Sequence, residues 1–169
     1  MIMDRTLEST LLHIARTRLV HDFPGQINAC LDVLDEADLW WRPNEQTNAV
    51  GNLVLHLAGS NRYNLGHVIA GAADVRDRDA EFAARGTHSK ADVRKTWDEA
   101  VKLGDEVLAG LDPLRLMETT ERGGKTTTFA QVLLHVLGHV GVHLGQIVYV
   151  TKQLKPGALD EIWMRMRAR

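Results

Sequence analysis

Histidines recur every four residues in the stretch TFAQVLLHVLGHVGVHLGQIVYVTKQLK, residues 128 to 155, at His135, His139 and His143. A neutral imidazole is a ligand for a divalent metal ion and a proton carrier near neutral pH, so this spacing could build a metal site or an acid–base site. In a helix turning about 100° per residue, the three rings fall within an arc of about 80°, with Gln146 inside it. Val132, Leu133, Val136, Val140, Ile147 and Val148 flank this polar stripe, which therefore faces a core or a cleft where an imidazole needs a partner.

Helical geometry limits what the three can do together. Neighbours at i and i+4 differ by a rise of about 6 Å and can share one ion, whereas His135 and His143 are about 12 Å apart along the axis and cannot. One adjacent pair is available, and a catalytic site of zinc type wants three protein ligands and an open position. His56 is the natural third, lying mid-helix on a polar stripe with Asn52, Ser60 and Tyr63. His67 lies about 16 Å further along that helix and cannot replace it. His13, His21, His67 and His88 read as ordinary hydrogen-bonded histidines. Gly138, Gly141 and Gly145 each cost about 1 kcal/mol in a helix interior, which calls for a packing or site reason such as close helix approach.

The elements that must position these residues follow from apolar periodicity. Leu7, Leu11, Ile14, Leu19, Ile27, Leu31 and Leu34 define a first long helix over residues 6 to 36, with a kink expected at Pro24 and Gly25. The segment 38 to 48 reads as a loop in which Trp40 and Trp41 pack over the end of a core. A second helix runs from about Ala49 to Ala70, with Thr47 or Asn48 as its cap. Residues 71 to 88 alternate in charge and read as a long surface connection. Ser89 with Asp92 opens a third helix to about Leu111. Thr-rich arms around Gly123 and Gly124 suit a small hairpin. Thr128 with Gln131 starts the helix of the three histidines, which Pro156 and Gly157 end. The tail, with Trp163 and two methionines, is expected to dock on the body or on a partner subunit. The result is an all-α four-helix bundle over residues 1 to 169 as one domain, an architecture that holds metal sites between facing helices.

Composition narrows the function. The formal charge is −2 with no basic footprint, which argues against nucleic acid. No run of about 18 apolar residues and no signal-peptide pattern occur, so the expected setting is the cytoplasm, away from membranes. The single Cys30 lies in an apolar-periodic stretch and reads as a core thiol. No Gly-x-Ser-x-Gly elbow supports a metal-free hydrolase.

Two blocks resemble the DinB/YfiT-like superfamily of bacterial metalloproteins. WWRPNEQTNAVGNLVLHLAGS, residues 40 to 60, is similar to its Arg-Pro loop and the helix with the first ligand histidine. GGKTTTFAQVLLHVLGHVGVHLGQI, residues 123 to 147, is similar to its His-x-x-x-His-x-Gly-Gln helix after a hairpin-like turn. DVRDRDAEF in the connection between them extends the likeness over most of the chain. The resemblance implies a bundle with a long crossover between helices 2 and 3, and it places the metal triad on His56, His139 and His143. His135 is left outside the ligand set. Gln146 corresponds to the signature glutamine, and Gln146 and Asn52 are the candidates for hydrogen-bonding the ligands. The resemblance further implies zinc or nickel, a low-molecular-weight thiol such as bacillithiol or mycothiol, and transfer of that thiol to an electrophilic small molecule by a homodimer. No general acid or base can be assigned. Many members carry a basic residue or histidine where this chain has Val142 and Leu144, so their thiol contacts do not transfer directly. The alternative is a non-catalytic metal-binding or stress-response bundle that binds a partner.

Overall fold

The computed structural model describes residues 6–160; the Trp163 segment and the first five residues lie outside the described residues. The chain forms four rods. The first comprises α1 (Leu7–Arg16), a π-helical stretch (Thr17–Asp22) and α2 (Phe23–Val33). The kink expected at Pro24 and Gly25 is thus taken up by a π-helical turn inside a continuous helical path. Proline lacks an N–H and its ring collides with the carbonyl four residues back, and widening the preceding turn to i→i+5 bonding relieves both problems. Phe23 N–H accordingly donates to the Arg18 carbonyl.

A short α3 (Glu36–Leu39) leads to a loop in which Trp40 lies against Gly51, where a Cβ would meet its ring carbons at 2.9 Å. The Trp40 indole N–H donates to the His88 carbonyl, pinning the following connection, while Trp41 is partly exposed. The second rod is α4 (Val50–Asn61), continued by π-helical Arg62–Ile69. Its cap differs from the expected Thr47 or Asn48: Ala49 is the first flanking residue, and the Asn52 side chain accepts from its N–H at 3.2 Å.

The connection 71 to 88 departs from the expected irregular surface stretch. It contains α5 (Arg78–Ala83), capped by Asp77 and packed on α4. The third rod is α6 (Lys90–Gly110), opened by the reciprocal Ser89 and Asp92 bonds. A 3-10 turn (Pro113–Met117) precedes an antiparallel hairpin, β1 (Thr119–Arg122) and β2 (Lys125–Thr128), with Arg122 opposite Lys125. Gly123 and Gly124 at φ 57° and 74° make the two-residue turn that matches strand twist. The fourth rod is α7 (Phe129–Leu154), started by Thr128 and Gln131.

The fold is a mainly helical four-helix bundle with a minimal hairpin. Side chains from all four rods, among them Ile27, Leu31, Leu57, Trp97, Leu133 and Ile147, form one buried cluster. Cys30 lies within it, and burial pushes its thiol pKa up to about 11, which makes it a packing residue. By length and composition α7 could cross a membrane; here its apolar positions Val132, Val136, Val140, Leu144 and Ile147 are buried in the bundle against α2 and α4. Gly138, Gly141 and Gly145 do not serve close packing within the described residues, because a Cβ on any of them would meet nothing within 4 Å. The tight glycines are elsewhere, at Gly51, Gly59, Gly66 and Gly104.

Candidate metal centre

The site forms where α4 crosses α7. His56 is mid-α4 and buried, and His139 and His143 occupy successive turns of α7, so the periodicity that buries Val136, Val140 and Leu144 also aims both rings at α4. One ring nitrogen from each of the three histidines lies within 4.8 Å of the others. The Nε2 atoms of His56 and His139 are 3.0 Å apart. Two nitrogens bound at 2.0–2.1 Å to a common tetrahedral ion would be about 3.3 Å apart, so the rings are already near a ligating separation.

Each ring is oriented by a partner at its other nitrogen. His56 Nδ1 is 2.9 Å from Glu81 Oε2, His139 Nδ1 is 3.3 Å from Ser60 Oγ, and His143 Nδ1 is 2.7 Å from Gln146 Oε1. When each Nδ1–H is donated outward to these oxygens, the Nε2 lone pairs face one another. In that tautomer the two lone pairs, 3.0 Å apart, are satisfied by a cation between them. The donor set therefore fits a divalent ion held by three neutral nitrogens, with further positions open to other ligands.

Glu81 is the residue that the sequence did not reveal. It belongs to the connection expected to be solvated, yet it is 9% exposed and sits between His56 and Arg76. Arg76 Nε and Nη2 reach its two carboxylate oxygens at 2.7 and 2.8 Å. Burial works against the charge on Glu81, but the hydrogen bonds from Arg76 and His56 outweigh it and hold the pKa below the usual carboxylate value. Arg76 Nη2 also lies 3.1 Å from His56 Nδ1. Since Arg76 is already committed to Glu81, the Nδ1 proton points at the carboxylate and the guanidinium neutralises the pair. The one signal in the sequence was the DVRDRDAEF segment, whose alternating charges gave no hint that one of them is buried.

Asn52 was expected to hydrogen-bond a ligand histidine, and it does not. Its amide donates to the Glu81 and Ala84 carbonyls at 3.0 and 2.9 Å. Asn52 thus ties α5 to α4 and positions Glu81 indirectly. Gly59 has a related task, because any Cβ there would overlap the Glu81 carboxylate.

His135 lies outside the trio. Its exposed ring stacks on His139 with centroids 5.7 Å apart and planes at 12°. His67 bonds the Ala72 carbonyl at the far end of its rod. Burial, then repulsion from His143 and His56, lowers the His139 pKa to about 4, and burial lowers that of His143. The His139 and His143 rings are thus held in the neutral form that ligates a metal.

A protein-family model described as a protein of unknown function, DUF1572, matches residues 8–165. Comparison with curated proteins gave no match. Among solved structures, the chain is similar to a DinB-like protein from Bacillus cereus ATCC 10987, at 14% identity and a TM-score of 0.63, over 80% of this chain and 90% of that one.

Proposed function

The chain belongs to the DUF1572 family and has the DinB/YfiT-like fold, and from that premise we propose that it is a metal-dependent enzyme joining a low-molecular-weight thiol to an electrophilic small molecule. The observation that carries this reading is the convergence of the His56, His139 and His143 ring nitrogens, each ring fixed through its Nδ1. A zinc or nickel ion bound there would supply positive charge that lowers the pKa of a coordinating thiol. His56 is held by Glu81, and the Arg76 guanidinium offsets that carboxylate, so the ligand shell stays close to neutral. Ser60 and Gln146 hold the α7 histidines in the matching tautomer. Bacillithiol and mycothiol are the thiols that the superfamily resemblance suggests. A second copy is the proposed partner, pairing through the outer face of α7. There Leu134, Val142 and Tyr149 are exposed around the open glycines, and no charge intervenes between Gln131 and Lys152.

The test is metal analysis of protein purified without a histidine tag, with His56→Ala and His139→Ala beside the wild type. About one divalent ion per chain is expected in the wild type, and a large loss in both variants. Unchanged metal content in both would remove the triad. A zinc- or nickel-loaded protein inactive with bacillithiol, mycothiol and glutathione would favour the non-catalytic alternative.

A further inference from the structure

The second rod changes pitch at Arg62, where α4 gives way to the π-helical stretch that runs to Ile69. Such turns are rare and recur at functional positions. This one carries Asn64, a buried amide whose side chain turns back onto Ser60. Its NH2 group donates to the Ser60 carbonyl at 2.8 Å and to the Ser60 hydroxyl at 3.2 Å. The hairpin fixes which way round the amide sits, because Arg122 Nε can only donate and it reaches Asn64 Oδ1 at 2.6 Å. Arg122 is half-buried on β1. The hairpin is tied to the same π-helical stretch by the Thr120 hydroxyl on the Val68 carbonyl and by Gly123 N–H on the Tyr63 hydroxyl.

A serine or threonine inside a helix commonly turns its hydroxyl back to the carbonyl four residues earlier. Thr151 does this in α7, donating to the Ile147 carbonyl at 2.8 Å. For Ser60 the corresponding acceptor is the His56 carbonyl, yet its Oγ lies across the helix interface, 3.3 Å from His139 Nδ1. Serine has three staggered χ1 wells, and an N–H donor beside Oγ favours the one within its reach. Asn64 is that donor. Three hydrogen bonds in series therefore run from the hairpin to the back of a ring of the candidate centre.

We propose that Asn64, anchored by Arg122, is the positioning residue for His139: it locks the Ser60 hydroxyl in the rotamer that holds that ring in the centre. The consequence for metal affinity rests on the metal-centre reading, whereas the lock itself is a property of the chain. It gives the hairpin and the π-helical stretch a common task. The centre then has two supporting arms, Glu81 with Arg76 behind His56, and Ser60 with Asn64 and Arg122 behind His139.

The experiment is a double-mutant cycle on zinc affinity, read by chelator competition with the full chain. Ser60→Ala should weaken binding about ten-fold, and Asn64→Leu by a similar factor. Because Asn64 acts through Ser60, the double variant should bind no more weakly than Ser60→Ala alone. Losses that multiply in the double variant would overturn the lock, since a general loosening of the bundle acts whether or not Ser60 is present. If Asn64→Leu does not fold, Arg122→Met on the hairpin repeats the cycle, with weaker binding expected beside Ser60 and no further loss beside Ser60→Ala. The lock is also read without metal. Three-bond couplings between the Ser60 Hα and Hβ protons should report one χ1 rotamer in the wild type and rotamer averaging in Asn64→Leu or Arg122→Met. Averaged couplings in the wild type, or couplings that neither variant changes, refute it. A chain that takes up no zinc ends the metal-centre reading and leaves the lock to be decided by the couplings.

Discussion

His139 makes the site sensitive to acid. Its pKa falls from 6.5 to about 4 because burial, and then the neighbouring imidazoles, oppose its charging. In the unfolded chain it accepts a proton near the ordinary value, so between those two pH values the unfolded state binds more protons. The contribution of His139 to stability is therefore intact above about pH 6.5 and is lost as pH falls towards 4. Thermal melts from about pH 7 to about pH 4.5 should show a falling melting temperature, with a shallower fall in His139→Asn. An equal slope in both proteins would show that His139 does not carry the effect. A metal bound there would steepen the same trend, since protons and metal compete for the ring nitrogens.

At the scale of elements, α5 exists to bring one carboxylate to α4. Asn52 holds its carbonyls, Arg76 clamps Glu81, and Gly59 leaves the space into which the carboxylate fits. Gly59→Ala should therefore displace Glu81, lower the melting temperature by several degrees, and weaken metal binding about ten-fold or more in chelator competition. Gly138→Ala is the control, because a Cβ there meets nothing within 4 Å. If Gly59→Ala binds metal as tightly as the control, Glu81 does not support His56. The periodicity of 6 to 36, 49 to 70, 90 to 111 and 128 to 155 was enough to find the four rods, with both capping boxes in place. It did not find α5, whose alternating charges mimic a solvated connection. Whether a charge is solvated or buried depends on partners that arrive from elsewhere in the chain.

For the whole molecule, the outer face of α7 is an exposed apolar strip among the described residues. Leu134, Val142 and Tyr149 are 55%, 63% and 65% exposed along one side of a helix whose other side builds the core. Sedimentation velocity should find a dimer, and Val142→Lys should shift it to monomer with unchanged metal content, since Val142 does not belong to the histidine cluster. A monomeric wild type would leave that face without its proposed partner. The face also reinterprets the glycines of α7: their cost in helix stability is not recovered by close packing within the chain, and a facing helix could approach them.

The sequence by itself determined the rods, the hairpin turn and the limit on which histidines can share an ion, because these follow from local periodicity, turn chemistry and the rise of a helix. His135 and His143 are too far apart along one axis whatever the remainder of the chain does. Gln146 behind His143 is a neighbour three residues on and was legible from the sequence, whereas the tertiary structure alone decided what stands behind His56 and His139. Glu81 behind His56 and Ser60 behind His139 come from segments 25 and 79 positions away in the chain. Such contacts are set by how rods and hairpin pack, and no local pattern encodes them.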